Sequence, residues 1–172
     1  CDYDVLEYCE GKYKGQRATA ETFAELRRDF PECITVCYVM KEEDIRLAFR
    51  HPAVMVGSDG LMNNGQGHPR AAGSFPRFLA EFSRNGDIRL YDAVEMITAT
   101  PANRLRLTAK GRLNVGADAD ITIFDYETIR DGATFAQPNL PPQGIEYVLL
   151  GGEVVLEKGT VVKDNCGKAV RK

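Results

Sequence analysis

Histidine is scarce in this chain. His51 and His68 are the two present, and neither stands in an HxH or HExxH pattern, so ordinary ligands from these residues do not complete a zinc site. Other chemical signatures are missing as well: there is no GxSxG, no GxxxxGK[ST] and no GxGxxG after a strand-like run, and "GSDG" is too short to cradle a phosphate. No apolar run approaches the roughly 20 residues that cross a bilayer as a helix. A net charge of -3 without a dense Lys/Arg block leaves no electrostatic footprint for nucleic acid. The five cysteines, Cys1, Cys9, Cys33, Cys37 and Cys166, form neither a CxxC pair nor a disulfide framework, which points to a reduced, cytoplasmic protein. A signal peptide and an initiator Met are both missing, so the opening on Cys1 leads us to expect a piece of a longer chain.

What is there reads as globular protein. The 172 residues are 44% hydrophobic and 27% charged, suited to one domain or a large piece of one. "TAETFAELRRDF" sets Phe23, Leu26 and Phe30 at helical spacing before Pro31 stops it. "CITVCYVM" reads as a buried strand, with Cys33 and Cys37 on one face as two buried thiols. "EEDIRLAFR" is a helix with acids in its first turn, and "AVMVG" a second short buried strand. Strand, helix, strand in that order predicts a parallel βαβ unit, with Asp59 just past the C-terminal end of its second strand. That end is where α/β folds build their sites.

Further on, Ser74 is the expected cap of a helix carrying Pro76 in its first turn and Phe75, Phe78, Leu79 and Phe82 on one face, ended by Gly86. Leu90, Ala93, Val94 and Ile97 mark another helix, and Thr100-Pro101 opens a short third one that closes the α-rich part near Leu107. From Lys110 the texture changes to Val/Ile/Leu runs separated by glycines. Gly151-Gly152 reads as a primed hairpin turn and Lys158-Gly159 as another, while "DGATFAQPNLPPQ" is an irregular connection.

The chemistry on offer is concentrated in one loop. Asp59 can accept a proton, ligate a metal or cap a turn through its own backbone. His68 can ligate or hydrogen bond, and Arg70 presents a planar fork of donors suited to a substrate carboxylate. From residue types alone, the turn, loop and surface ion-pair readings of these three stay open.

Taken together, "HPAVMVGSDG", "GHPRAAGSFPRFLAEF", "LYDAVEMITATPANRLRL", "KGRLNVGADADITIFD" and "GIEYVLLGGEVVLEKG" resemble the C-terminal portion of the N-acyl-D-amino-acid deacylases (D-aminoacylases) of the amidohydrolase superfamily, from about Tyr38 to Arg171. The Gly-Ala-Asp-Ala-Asp tail specifies the superfamily; the SDG, HPR and GSFPR series with "GATFAQPNLPPQGI" points to the D-aminoacylase branch. The stretch from Cys1 to about Gln16 matches nothing.

The resemblance implies an α/β fold: the C-terminal part of a metal-dependent (β/α)8 amidohydrolase barrel over residues 1–108, and a small β-rich segment of the flanking β-sandwich domain over residues 109–172. It implies zinc as cofactor, with Asp59 as metal ligand and proton carrier, and Arg70 as the group that binds the α-carboxylate of a small-molecule N-acyl-D-amino acid. His68 lines the same loop. The family's other metal ligands have no counterpart in this chain, and Ser74 stands where Thr is commoner. A complete barrel takes at least about 200 residues, so the isolated chain is expected to be inactive and prone to self-association through uncovered strand edges and helix faces. Two other readings share some of these features: an amidohydrolase acting on cyclic amides, of the dihydroorotase or hydantoinase kind, and a non-catalytic binding or assembly module.

Overall fold

The computed structural model describes residues 2–63 and 65–170, so Cys1 and Arg171 lie outside the described residues. The first part is a small unit of its own. After a 3-10 turn at Tyr3–Val5, strand β1 (Leu6–Tyr8) pairs antiparallel with β2 (Thr35–Cys37), Glu7 opposite Val36. Between them runs helix α1 (Ala20–Asp29). Thr19 caps it through a reciprocal box in which Thr19 Oγ1 accepts from the Thr22 N–H and Thr22 Oγ1 from the Thr19 N–H. Tyr8, Ala18 and Leu26 form the buried centre, with Tyr3, Leu6, Tyr13 and Cys33 packed around it.

Helix α2 (Glu42–Phe49) follows, with Glu42, Glu43 and Asp44 in its first turn, where the helix dipole favours anions. Residues 53–57 then depart from expectation: they form no strand, and the parallel βαβ unit is absent among the described residues. The physical reason lies in pairing. A parallel strand needs hydrogen-bonding neighbours and cover on both faces; β2 is paired antiparallel with β1 in a two-stranded sheet, and no described strand runs beside residues 53–57. Val56 packs against the main core as irregular chain. Cys37 is likewise exposed on β2 while Cys33 precedes the strand half-buried, so the two are not a pair of buried thiols.

A short antiparallel pair, β3 (Met62–Asn63) with β4 (Gln66–Gly67), leads into helix α3 (Arg70–Phe78). This helix starts four residues earlier than Ser74, whose hydroxyl donates to the Arg70 carbonyl at 2.8 Å inside the helix. Pro76 therefore sits in the interior, where it has no N–H for the ladder. Three residues on, the helix widens into a π segment, Leu79–Ser83, closed by the Arg84 N–H on the Leu79 carbonyl at 3.0 Å. Helices α4 (Leu90–Ile97) and α5 (Ala99–Arg104) follow; Thr98, not Thr100, flanks α5, and Pro101 is tolerated within its first turn.

The C-terminal part is an antiparallel meander in the order β5 (Ile121–Phe124), β6 (Ile145–Leu150), β7 (Glu153–Glu157) and β8 (Thr160–Val161). Both hairpin turns form as read: Gly151 and Gly152, then Lys158 and Gly159, have positive φ, the pairing that a primed two-residue turn requires. Helices and sheet share one core, in which Phe78, Leu79, Ile88 and Ala93 close on Ile129, with Phe49, Phe82, Phe124 and Tyr126 around them. Arg84 fastens the two parts. Its Nη1 donates to the carbonyls of Tyr126, Glu127 and Ile129 at 3.0, 3.1 and 2.9 Å, and Ser83 and Tyr126 share a 2.9 Å hydroxyl bond.

Candidate active site

Asp59 lies in the loop between α2 and β3, with no strand before it, so its placement comes from the loop's own geometry. Its backbone adopts the left-handed region, φ 43°, which Asp tolerates better than most side chains. Gly60 then presses against the first turn of α3. A Cβ at that position would stand 2.3 Å from Ala71 Cα, which only glycine avoids. The loop is thus held against α3 by a contact that is invisible as a motif, since "SDG" reads as turn chemistry alone.

That contact brings two of the three expected residues together. Arg70 Nη2 meets Asp59 Oδ2 at 3.0 Å, and Arg70 Nε donates to the Asp59 backbone carbonyl at 2.9 Å. The pair is open to solvent, with 93% of the Asp59 side chain and 44% of the Arg70 side chain exposed, so as a stabilising interaction it is worth less than about 1 kcal/mol. Its interest is chemical: the arginine on the first residue of a helix reaches both the carboxylate and the backbone carbonyl of the residue beside it.

His68 serves the same helix. Its Nδ1 accepts the backbone N–H of Arg70 at 3.1 Å, satisfying one of the donors a helix N-terminus leaves unpaired where Pro69, the residue before the helix, provides no side-chain cap. Burial pushes the His68 pKa below the ordinary imidazole value, and the charges of Arg70 and Arg77 push it the same way. A neutral ring is the form whose Nδ1 can accept. The imidazole also packs against Phe135, the two rings roughly perpendicular with centroids 5.0 Å apart at 79°. Phe135 belongs to the 131–143 connection and was not a candidate in the sequence; an aromatic inside a Pro/Asn/Gln-rich loop was the signal available. His51 lies apart, its Nδ1 accepting the Ala53 N–H at 3.2 Å.

Among the described residues no three His, Cys, Asp or Glu side chains gather closely enough to hold a metal ion. The candidate donors beside this loop, Asp59 and His68, are turned elsewhere: the carboxylate meets a guanidinium and His68 Nδ1 accepts the Arg70 N–H. These residues alone do not fit a zinc centre.

Comparison with known proteins gives the frame for this geometry. A model of the amidohydrolase family matches residues 2–156, so the match takes in the stretch from Asp2 to Gln16 that motifs alone left unplaced, and the chain belongs to that family. It is 44% identical over 118 residues to the N-acyl-D-glutamate deacylase of Alcaligenes xylosoxydans xylosoxydans, a match covering 68% of this chain and 24% of that protein. Among solved structures it resembles the N-acyl-D-glutamate deacylase from Bordetella bronchiseptica complexed with zinc and a phosphonate inhibitor that mimics the tetrahedral intermediate. That likeness has a TM-score of 0.77 at 30% identity over 90% of this chain and 35% of the other. A crystal structure of D-aminoacylase, described as defining a novel subset of amidohydrolases, gives 0.81 at 30% identity, covering 94% and 36%. The chain spans about a quarter of the length of the curated deacylase it matches.

Proposed function

We propose that this chain is the C-terminal portion of a zinc-dependent N-acyl-D-amino-acid deacylase, with residues 1–108 contributing to its barrel and 109–172 to its β-rich flanking domain. The Asp59–Arg70 arrangement carries the reading: one carboxylate and one guanidinium fork are fixed side by side at the mouth of α3, in a family whose similar members deacylate N-acyl-D-amino acids. Large apolar side chains open to solvent, among them Met40 at 75% and Leu113 at 80% exposed, support a larger protein that covers them.

In this reading Arg70 binds the α-carboxylate of the substrate through its paired N–H donors, of which Nη2 meets the Asp59 carboxylate here and Nε the Asp59 carbonyl. Asp59 takes the proton of the attacking water as the acyl C–O bond forms. It delivers that proton to the amide nitrogen as the C–N bond breaks, releasing a carboxylic acid and a free D-amino acid. His68 orients Arg70 by holding its N–H. Zinc belongs to the complete protein, where Asp59 is one donor and the others come from outside these residues.

The test is kinetic, in the complete polypeptide that carries this segment. Asp59→Ala should abolish turnover of N-acyl-D-amino acids with bound metal largely retained. Arg70→Ala should raise KM for carboxylate substrates about ten- to hundredfold with a smaller change in kcat, as loss of a charge-assisted contact implies. Ordinary turnover in the Asp59 variant would sink the mechanism.

A further inference from the structure

The 131–143 connection is pinned beside Arg70 at three points. Asp131 lies against Gly73 of α3, where an added Cβ would fall 2.0 Å from Asp131 Oδ1. Asn139 Nδ2 donates to the Gly65 carbonyl at 3.3 Å. Between these anchors Thr134 and Gln137 exchange backbone hydrogen bonds at 3.1 Å each, and Thr134 Oγ1 also accepts the Gln137 N–H at 3.1 Å, closing a tight turn with Phe135 at its tip. The Phe135 ring stands roughly perpendicular to the His68 imidazole, centroids 5.0 Å apart, and meets Tyr38, just past β2, at 6.0 Å and 62°. Two segments distant in sequence, at Tyr38 and His68, therefore converge on one side chain.

From this convergence we propose that Phe135 is a positioning residue for Arg70: by packing on His68 it keeps Nδ1 on the Arg70 N–H, and so holds the first turn of α3 and its guanidinium at Asp59. The kinetic consequence rests on the deacylase reading, since it takes Arg70 as the receptor of the substrate carboxylate. The packing relay itself does not.

Two measurements test it, both on the complete polypeptide with Phe135→Ala, Phe135→Tyr, His68→Ala and the Phe135→Ala/His68→Ala double variant. In kinetics, Phe135→Ala should raise KM for N-acyl-D-amino acids about three- to tenfold, the range for losing an aromatic pair, with kcat little changed. Phe135→Tyr should stay near the parent. The double variant should match His68→Ala alone, because the two residues act in series. An unchanged KM in Phe135→Ala, or effects that multiply in the double variant, would overturn the proposal. In amide hydrogen exchange, Phe135→Ala and His68→Ala should each speed the Arg70 N–H about tenfold while Ala93 and Ile129 keep their protection. If the parent protein turns over no N-acyl-D-amino acid, the deacylase reading fails and exchange decides the relay: retained protection of Arg70 in Phe135→Ala rejects it.

Discussion

Gly60→Ala separates the placement of Asp59 from the stability of the fold. The new Cβ would stand 2.3 Å from Ala71 Cα, 2.7 Å from Ala71 Cβ and 2.8 Å from Ala71 N. Ordinary carbon contacts begin near about 3.5 Å, so the loop must retreat from α3 by roughly 1 Å. Arg70 reaches the Asp59 carbonyl at 2.9 Å and its carboxylate at 3.0 Å; a shift of that size takes both beyond hydrogen-bond reach. Because Asp59 and Gly60 are exposed and the ion pair lost is solvent-screened, the cost in stability should stay below about 1 kcal/mol, or roughly 1–2 °C in the melting midpoint of the complete protein. A misplacement of about 1 Å at a reacting group can cost about a hundredfold in rate. The assay is turnover of an N-acyl-D-amino acid by the complete protein beside its thermal midpoint. Adding Ala71→Gly should not rescue the variant, since the nearest obstruction is backbone. Full turnover in Gly60→Ala would refute the claim that this contact sets the carboxylate, and so would rescue by Ala71→Gly.

Two further outcomes follow from groups beside the site and from the first unit. The folded pKa of His68 is lowered, by burial first and then by Arg70 and Arg77. Its contribution to stability is accordingly complete above the ordinary value of 6.5 and is lost as pH falls through the folded value. Between about pH 7.5 and about pH 5 the melting midpoint should fall more steeply in the parent than in His68→Gln, and equal slopes would count against the neutral ring. Among the thiols, Cys37 is exposed, whereas Cys9 is 4% exposed and burial raises its pKa. A maleimide followed peptide by peptide should modify Cys37 at least about tenfold faster than Cys9. Comparable rates would mean that the first unit opens freely.

Local signals in the sequence were sufficient where the chain is governed by local energetics. The acids opening α2 and the paired positive-φ turns at Gly151-Gly152 and Lys158-Gly159 are decided within a few residues, and each formed as read. Ser74 misled because Ser is a good cap and Pro a good first-turn residue. The preference was overridden by His68, which satisfies the Arg70 N–H from outside the helix and lets α3 begin earlier. "AVMVG" misled because an apolar run says that a segment wants burial, not which strand will pair with it. Asp59 and Arg70 were visible as residue types. The Gly60–Ala71 contact that joins them and the arrival of Phe135 from 67 residues beyond His68 are set by packing, which no short stretch encodes.

The two buried clusters, Tyr8–Ala18–Leu26 and Phe78–Leu79–Ile88–Ala93–Ile129, have no residue in common. Mutations that erode one leave the apolar contacts of the other unchanged, so the residues around Tyr8, Ala18 and Leu26 can drift in sequence while the platform beneath Asp59 keeps its shape, provided Tyr38 keeps its place against Phe135. Within one family, that division lets a lineage alter what lies at the front of this segment without rebuilding the helix that carries Arg70.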